Sequence, residues 1–426
     1  MRFLWASHLI PFPPKSGVHV RSYHLLRAVA SRHEVDLLAF IQEAWLTIFY
    51  PSREEALEDC RRELLRFCRS VTFLPIESLR RPGGQVRTAL EAVVLPQCYT
   101  LRWLQSRVAR QAFVSASREA YALAHFDTIG LAPYRRLLPD TPATLGHHNI
   151  ESHMLLRRAD NEPNPLKRWY FRQEARRVQN YEARIADRFK LHVTCSELDS
   201  ERLKAIAPSA NTVAIPNGVD VEYFRSTAAA ISGPPSIIFV GSLNWYPNVD
   251  AVLFLLKEVW PAVKAAIPEL RLDIVGSAPP SAVLEAAAPL SDVRVHGFVN
   301  DVRPSLDAAT LYVCPIRDGG GTKLKLLDAF AMQKCVIAHP VACEGIDVTP
   351  GHDVEFAESA GAFVDAIRRL LDEPAERERR GRAARQLVMD RYSFAEIGRR
   401  LCDALESAAQ ASPLCRASGT APSPVA

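Results

Sequence analysis

Residues 315–331 read PIRDGGGTKLKLLDAFA, which places a strand end, three glycines and a helix in direct succession. Glycine permits positive φ and a close approach of the backbone to a ligand. The first turn of the following helix offers free N–H groups and a positive dipole end. Lys323 and Lys325 lie in that turn, where their charge opposes the helix dipole. We therefore expect an anionic ligand, with a diphosphate as the natural candidate; the alternative is a tight turn with surface lysines.

The glycine run differs from the two common phosphate-binding fingerprints, since neither G-x-x-x-x-G-K-[ST] nor G-x-G-x-x-G occurs here. Asp328 follows Thr322 by six residues and lies inside the helix among apolar neighbours. A buried carboxylate needs a partner, and ribose hydroxyls supply one in dinucleotide sites. The alternative for Asp328 is a position on the surface, facing solvent.

Two other junctions between a strand and a helix contain glycine. Residues 239–248 read FVGSLNWYPN, and Gly241, Ser242 and Asn244 could form the opposite wall of the same phosphate pocket. Residues 13–17 read PPKSG, so Gly17 opens a helix after the first strand. An ordinary turn explains each junction equally well.

The segment HHNIE at residues 147–151 follows the predicted strand Ala143–Gly146 and therefore lies at the carboxyl end of a strand. Such side chains at a cleft edge suit acid–base work or hydroxyl recognition. The candidates are His147, His148, Asn149 and Glu151. Adjacent histidines rarely point at one ion and no third ligand is evident, so we predict no metal site. The alternative is a polar helix cap from Asn149. His8, at the end of the first predicted strand, has the same topological position, but a lone histidine is more often structural.

Short apolar runs alternate with helical segments along the whole chain, which is typical of parallel α/β units. The predicted strands are Phe3–Ala6, Val35–Phe40, Val71–Pro75, Thr128–Leu131, Ala143–Gly146, His192–Cys195, Val213–Pro216, Ser236–Val240, Leu270–Val275, Val293–His296, Leu311–Pro315 and Cys335–Ala338. A long helix is predicted over Leu101–His125. Residues 228–236 are rich in Ala, Ser, Gly and Pro and are predicted to be a linker between two α/β halves. Ligands of such sheets bind outside the carboxyl ends of the strands.

Composition excludes several classes of protein. The chain has 426 residues, of which 48% are hydrophobic and 23% charged, as in an ordinary globular protein of two or three domains. Nine cysteines without a Cys-x-x-Cys pair argue against a disulfide framework or a zinc site. No apolar run reaches the length of a transmembrane helix, and the N-terminus lacks the pattern of a signal peptide. We expect a cytoplasmic protein, with peripheral docking on the inner face of a membrane as an option.

The charge is unevenly distributed. Residues 1–220 contain 31 Lys and Arg against 23 Asp and Glu, a net charge of +8, whereas the rest of the chain has a net charge of −4. A basic half suggests an anionic partner, such as a membrane surface or a phosphorylated acceptor; the alternative is a solvated surface. No basic stripe is interleaved with aromatic residues, so we expect no nucleic-acid binding.

Several segments together resemble the GT-B glycosyltransferases of the retaining family 4. They are Val193–Glu197, Ile215–Asp220 with Phe224, Phe239–Gly241, His296–Phe298 with Asp301, Asp328–Ala331 and Cys343–Ile346. The resemblance implies two facing Rossmann-like domains, residues 1–220 for the acceptor and 221–393 for the nucleotide-sugar. It also implies a helix over 394–410 that crosses back to the first domain. We predict a disordered tail at 411–426.

The resemblance also implies roles for individual residues. The nucleotide ribose would meet Asp328, in place of the family's glutamate, and the diphosphate would meet the backbone of Gly320, Gly321 and Thr322. Gly17 would lie near the diphosphate or the transferred sugar. We expect His148 and Lys323 to be catalytic. The remaining donor-site candidates are Gly241, Ser242, Asn244, Arg317, Lys323 and Lys325, and the acceptor-side candidates are His147, Asn149 and Glu151. No cofactor and no metal are expected.

The chain departs from the family pattern at two points. The family places a second carboxylate eight residues before the position of Asp328, where this chain has Gly320. Family members also carry Arg and Lys after the second-domain glycine, where this chain has Ser242 and Asn248, so Lys323, Lys325 or Arg317 would supply the missing cations.

The predicted activity is transfer of a sugar, with retention, from a UDP- or GDP-sugar to a sugar, lipid-linked or other hydroxyl acceptor. The family mechanism leaves room for the departing phosphate to take the acceptor proton. A sugar-nucleotide epimerase and a non-catalytic nucleotide-sugar-binding protein are the alternatives.

Overall fold

The computed structural model describes residues 1–80, 83–94, 98–226, 234–318 and 322–410. The chain forms two compact units. The first unit comprises Met1–Ile215 together with the chain from Gly398 onward, and the second comprises Pro216–Ile397. The predicted linker lies largely, and the predicted tail wholly, outside the described residues. None of the described helices combines the length and the hydropathy that crossing a bilayer requires.

The first unit is built on a seven-stranded parallel sheet. Its strands are β1 Arg2–Ser7, β2 Glu34–Ile41, β3 Ser70–Pro75, β4 Leu123–Phe126, β5 Ala143–Gly146, β6 Leu191–Thr194 and β7 Thr212–Ala214. Its helices are α1 Gly17–Ala30, α2 Glu43–Leu46, α3 Arg53–Leu64, α4 Glu77–Arg80, α5 Gly84–Val94, α6 Tyr99–Arg102, α7 Arg107–Ala116, α8 Glu151–Asp160, α9 Pro165–Ile185 and α10 Glu197–Ile206. The strand order β3-β2-β1-β4-β5-β6-β7 reverses direction between β1 and β4. In such sheets ligands bind at that reversal, beyond the carboxyl ends of the strands.

The strands are apolar because helices cover both faces of the sheet. In β1, Phe3, Leu4 and Trp5 are each at most 2% exposed, and each pairs in register with an apolar or buried partner on β2. Because both faces of the sheet are buried, its strands lack the alternation of polar and apolar residues that a sheet with one solvent-exposed face shows.

The second unit repeats this architecture with six parallel strands. They are β8 Ser236–Val240, β9 Arg271–Val275, β10 Val293–Gly297, β11 Leu311–Cys314, β12 Val336–Ala338 and β13 Glu355–Phe356. Its helices are α11 Tyr246–Phe254, α12 Trp260–Ala266, α13 Ser281–Ala287, α14 Arg303–Ala308, α15 Leu324–Ala331, α16 Ala360–Asp372 and α17 Pro374–Arg391; a π-helical segment, Leu255–Val259, joins α11 to α12. The order β10-β9-β8-β11-β12-β13 reverses between β8 and β11.

The last helix, α18 Phe394–Gln410, belongs to the first unit from Gly398 onward. Gly398 packs so closely on α1 that a Cβ there would lie 2.4 Å from the Cβ of Ala28. Further along the helix, Asp403 pairs with Arg32 at 2.8 Å, and Arg400 donates a hydrogen bond to the carbonyl of Ala214. These contacts hold α18 against α1, the residues that follow α1 and the end of β7.

The sequence prediction fails between residues 101 and 137. The predicted long helix Leu101–His125 is wrong: α6 and α7 are short, and residues Leu123–Phe126 form β4. The predicted strand Thr128–Leu131 is also wrong, since Ile129–Leu137 forms a 3-10 helix. Short, fully buried apolar runs have the same pattern in either structure, and β4 is buried at all four positions. The sequence analysis also missed α8 and β13.

Candidate functional site

A lysine amine lies at the strand reversal of the second sheet. Lys325, in the first turn of α15, donates a hydrogen bond from Nζ to Oδ1 of Asn248. The same Nζ lies 5.1 Å from the ring centroid of Phe239 and 5.9 Å from that of Trp245. Burial, together with the charge of the neighbouring Lys323, lowers the pKa of Lys325 to about 8. A half-buried cation hydrogen-bonded to a neutral amide favours an anionic ligand, because an anion supplies the missing counter-charge.

The backbone around this amine leaves no room for side chains at two glycines. A Cβ on Gly241, directly after β8, would lie 2.4 Å from Nζ of Lys325 and 2.9 Å from Nδ2 of Asn248. A Cβ on Gly276, directly after β9, would lie 1.9 Å from the carbonyl oxygen of Gly241. Glycine at both positions therefore lets the turn after β8, the turn after β9 and the side chain of Lys325 pack together at the carboxyl edge of the sheet.

Thr322 and Lys323 lie buried between the glycine run and α15. Thr322 is 8% exposed, and its Oγ1 has no hydrogen-bond partner among the described residues. Lys323 is 4% exposed and occupies the N-cap position of α15. A buried hydroxyl without a partner is costly, so a ligand oxygen would stabilise it. The candidates Gly320 and Gly321 lie outside the described residues.

Asp328 lies one turn after Lys325 on α15 and is half-buried. Burial raises the pKa of Asp328 to about 8, against the opposing effect of Lys325. The structure therefore contradicts the alternative of a fully solvent-exposed aspartate. A carboxyl group withdrawn from water in this way suits hydrogen bonding to hydroxyl groups of a ligand.

Three other donor-site candidates are less closely tied to this amine. The guanidinium of Arg317 pairs with Asp250 at 3.0 Å and lies 4.3 Å from the ring centroid of Phe254. Ser242 donates to Asn244 at 3.0 Å and lies 2.7 Å from Oγ of Ser277. Arg317 already has a carboxylate partner, so we place it outside the core of the site.

Asn248 is a site residue that the sequence analysis named only as a departure from the family. It is 3% exposed, and its Nδ2 donates to the carbonyl of Ser242 at 2.7 Å. Its amide thus joins the turn after β8 to Lys325. Two features of the sequence could have identified it: an asparagine stands where the resembled family carries a lysine, and α15 carries an additional lysine, Lys325. Together they indicate that the cation has moved to α15 and that Asn248 contacts it.

The strand reversal of the first sheet holds a carboxylate and an imidazole. Asp127 follows β4 and is 4% exposed; its Oδ2 accepts from Oγ of Ser7 at 2.7 Å and its Oδ1 from the backbone N–H of His8 at 3.0 Å. Nδ1 of His8 lies 3.1 Å from Oδ1 and 3.0 Å from Oδ2. Burial lowers the pKa of His8, but Asp127 more than offsets this, and the pKa is raised overall.

His148 and Glu151 lie close to His8. The ring centroids of His8 and His148 are 5.2 Å apart, and Nε2 of His148 is buried without a partner among the described residues. Burial and the charge of His8 lower the pKa of His148 to about 3. Burial raises the pKa of Glu151 to about 7, although His8 opposes the shift. The structure therefore brings two predicted candidates, His148 and Glu151, together with His8.

His147 faces the other way. It is 4% exposed, and its Nε2 lies 3.0 Å from Nδ1 of His192, whose Nε2 contacts the carbonyl of Ala186. Successive side chains alternate in direction after a strand, so adjacent histidines reach opposite sides. His147 belongs to the core and is not grouped with His148.

Asn149 and Gly17 have simpler settings. Asn149 is partly exposed, and the N-cap of α8 is Ile150, without a side-chain cap, so the predicted cap from Asn149 is wrong. Gly17 is exposed at the start of α1. Beside it, Oγ of Ser16 lies 2.7 Å from Nδ1 of His19, and Nε2 of His19 is buried without a partner among the described residues.

His8, Asp127 and His148 each place one potential ligand atom within 4.8 Å of the others. Both oxygens of Asp127 already accept hydrogen bonds from Ser7 and His8. We therefore interpret His8 and Asp127 as a hydrogen-bonded pair, with the ring of His148 packed beside His8.

Solved structures share this fold across nearly the whole chain. Sucrose-phosphate synthase from Thermosynechococcus elongatus covers 96% of this chain and 99% of its own, with a TM-score of 0.66 and 17% identity. Anabaena HepE, solved in complex with UDP and glucose, covers 96% and 100%, with a TM-score of 0.66 and 14% identity. The fold is that of the GT-B glycosyltransferases. This outcome confirms the fold class that the sequence motifs implied.

Sequence comparison gives a more specific match for the second unit than for the whole chain. Residues 234–373, within the second unit, match the family model described as Glycosyl transferases group 1. A Klebsiella pneumoniae protein, "Uncharacterized 44.6 kDa protein in cps region", is 25% identical over 139 residues, 31% of this chain and 36% of that protein. A phosphatidyl-myo-inositol mannosyltransferase of Mycobacterium tuberculosis is 27% identical over 223 residues, 49% of this chain and 58% of that protein. The matches thus span about a third to somewhat over half of these relatives.

Proposed function

We propose that this GT-B protein transfers a hexose from a UDP- or GDP-sugar to a hydroxyl acceptor, with retention and without a metal. The single observation that supports this most is the amine of Lys325 at the carboxyl edge of the second sheet, in the first turn of α15 and beside the turn at Gly241. Cations and helix N-termini at such an edge are typical diphosphate sites.

The donor is held by the second unit in this proposal. The backbone of Gly320, Gly321 and Thr322, together with Lys323 and Lys325, binds the diphosphate. As the bond from the sugar to the phosphate breaks, negative charge grows on the leaving diphosphate, and preorganised donors and cations stabilise it electrostatically.

The nucleotide ribose is assigned to Asp328. This residue is half-buried and lies on the same helix as Lys325, one turn further from the phosphate-binding end. Its carboxyl group would accept hydrogen bonds from ribose hydroxyls once it is ionised, so binding of the nucleotide would release a proton. Gly241, Ser242 and Asn244 complete the proposed donor site of the second unit.

The relatives support the choice of substrates. HepE was solved with UDP and glucose, and the mycobacterial relative is named for mannose transfer to a phosphatidylinositol. The Klebsiella relative is described as a protein in the cps region. We propose a role in cell-surface polysaccharide or glycolipid assembly, with His148, Asn149 and Glu151 on the acceptor side.

The test uses the purified full chain in EDTA with UDP- and GDP-hexoses, with and without lipid-linked and free sugar acceptors. Release of nucleotide that depends on the acceptor supports the proposal, and proton NMR of the anomeric centre of the product reports retention. Conversion of the nucleotide sugar alone would favour an epimerase. Tight binding without turnover would favour a non-catalytic binding protein.

We further propose that the basic first unit docks on an anionic lipid surface through α9. Leu166, Trp169, Arg172 and Arg176 recur at spacings of three and four residues and therefore share one face of this helix. Leu166 is 77% and Trp169 55% exposed, and exposed Lys167 lies between them. An exposed indole beside cationic side chains is the composition of an interfacial helix.

Vesicle co-sedimentation tests this surface. The full chain should bind vesicles that contain phosphatidylglycerol and ignore those of pure phosphatidylcholine, and the double variant R172E/R176E should lose the binding. The double variant R368E/R382E, with both changes at exposed positions of the second unit, is the charge-matched control. Equal binding by the double variant and the control would contradict the assignment of α9.

A further inference from the structure

A cavity of about 440 Å³ lies at the amino edge of the first sheet, opposite to the edge that carries His8 and Asp127. The 3-10 helix Ile129–Leu137 and the residues that precede β5 and β6 form its wall. Its charged lining residues are Arg135, Arg136, Asp140, Asp187, Arg188 and Lys190, so cations outnumber carboxylates by four to two. Doubly wound sheets bind their usual ligands at the carboxyl edge, so the fold alone does not account for this cluster.

Arg135 is a fixed part of the cavity wall. Its side chain is half-buried, and its guanidinium donates hydrogen bonds to the backbone carbonyls of Arg188, at 3.2 Å, and Leu138. These partners are neutral, so they orient the planar group without cancelling its charge. Burial lowers the pKa of Arg135, and the charge of Arg188 adds to the shift, while Asp140 opposes it. A rigid, partly desolvated cation therefore faces a second cation across the cavity wall.

The other three cations, Arg136, Arg188 and Lys190, are exposed. Within the part of the chain that the structure describes, none of the four cations of this cavity forms an ion pair with a carboxylate. Elsewhere on this unit exposed arginines do pair, as Arg172 does with Asp160 at 3.1 Å. Like charges that converge without counter-charges raise the energy of the folded chain. A bound anion would offset that cost.

The second sheet has a cavity at the same edge, and the charges of its lining balance. It measures about 480 Å³ and is lined by Arg368 and Arg377 together with Glu269 and Asp372. Arg368 pairs with Asp365 at 3.8 Å, and Arg377 donates to two carbonyls at the end of α16. Both units thus have a cavity at the amino edge, whereas the excess of cations belongs to the first unit.

We propose that the cavity at the amino edge of the first sheet binds a phosphate group, carried by a soluble phosphate ester or diphosphate or by a lipid headgroup. Guanidinium groups bind phosphate oxygens through paired hydrogen bonds, and a lysine adds a point charge. Arg136, Arg188 and Lys190 contact the phosphate oxygens, and Arg135 contributes its charge from the wall. The volume falls within the ~300–1,000 Å³ of small-molecule sites. The site lies wholly within the first unit and is independent of the proposed donor site.

Calorimetric titration with inorganic pyrophosphate tests this assignment. The starting protein is the full chain with Lys325→Ala, so that the proposed donor site contributes little to the signal. We expect one saturable pyrophosphate site per chain, weakened by ~10–100-fold in R136E/R188E. The control R368E/R382E makes the same charge change at exposed positions of the second unit, and Arg368 lines the balanced cavity; it should bind like the starting protein. Equal affinities in the two double variants, or no saturable site in the starting protein, would overturn the proposal.

Thermal unfolding without ligand separates binding from a structural role. Arg188→Gln relieves repulsion while it leaves the backbone carbonyl that Arg135 contacts in place. Its Tm should therefore equal or exceed that of the wild type, whereas its pyrophosphate affinity should fall. A lower Tm with unchanged affinity would show that the cluster serves packing and would overturn the site.

Two further probes distinguish the sources of the phosphate group. Glucose 1-phosphate represents soluble esters, and vesicles with phosphatidic acid represent lipid headgroups; the vesicles are tested against R172E/R176E, which lacks the proposed α9 surface. Binding of either probe that R136E/R188E abolishes supports the site and names its source. Failure of both probes would overturn it. A chain without transferase activity that still shows this binding would overturn the proposed function alone.

Discussion

The two sheets reverse direction at equivalent strands, yet the side chains at the two reversals carry opposite charge. Between β1 and β4 lies a buried carboxylate, Asp127, saturated by hydrogen bonds from Ser7 and His8. Between β8 and β11 lies an amine, that of Lys325, whose hydrogen bond goes to a neutral amide. The fold fixes where a ligand binds, while the residues that follow the strands fix its chemistry. An anion therefore fits the second edge better than the first.

The largest expected effect follows from removal of the charge at the second edge. Lys325→Ala should weaken UDP or GDP binding by ~10–100-fold, because a hydrogen bond to a charged group contributes ~1.5–3 kcal/mol. Isothermal titration calorimetry measures the change, and Lys257→Ala, at an exposed position of the π-helical segment, is the control. Equal affinities for both variants would remove Lys325 from the donor site.

The glycine turns provide the next comparison. Gly276→Ala would place a Cβ 1.9 Å from the carbonyl oxygen of Gly241, so we expect a loss of ~1–3 kcal/mol of unfolding free energy from overpacking. A Cβ on Gly361 meets nothing within 4 Å, so Gly361→Ala should be neutral or slightly stabilising. Urea unfolding of both variants checks this. A stable Gly276→Ala chain would show that the two turns move apart easily.

The adjacent residues His147 and His148 should differ in what they contribute to the stability of the first unit. His147→Ala should cost ~1–2 kcal/mol of stability, because it removes a buried hydrogen bond to His192. His148→Ala should change stability by less, since Nε2 of His148 has no partner among the described residues. Thermal unfolding measures both. The reverse order of stabilities would mean that His148 holds the core and His147 faces the site.

The last comparison concerns pH. The pKa of Asp328 is raised to about 8 in the folded chain, so its contribution to stability is present at low pH and lost as pH rises toward that value. Lys325 stays protonated in both states below its pKa of about 8, which leaves Asp328 alone of the pair to titrate in the acidic range. From about pH 5 to about pH 7.5 the wild type should lose more stability than Asp328→Asn. Parallel curves for the two proteins would contradict the raised pKa.

The sequence predicts the elements better than it predicts their contacts. The cations of α15 were identifiable because lysines in the first turn oppose the helix dipole, and Asp328 because it interrupts an apolar helix. The contact between Lys325 and Asn248 was not identifiable, since it joins residues 77 positions apart on two helices. Sequence spacing alone gives no distance between such residues.

Asp127 was missed for a different reason. It follows β4, of which the first three residues were assigned to a helix, so its place at the carboxyl end of a strand was hidden. Once β4 lies beside β1, Asp127 and His8 must meet at the same edge. A single wrong element therefore concealed this pair.

The most direct test of the division of labour between the two edges is a calorimetric titration of UDP and GDP into His8→Gln and Lys325→Ala, side by side. The account predicts that Lys325→Ala loses nucleotide affinity while His8→Gln binds the nucleotide like the wild type. Equal loss in both variants, or loss in His8→Gln alone, would contradict it.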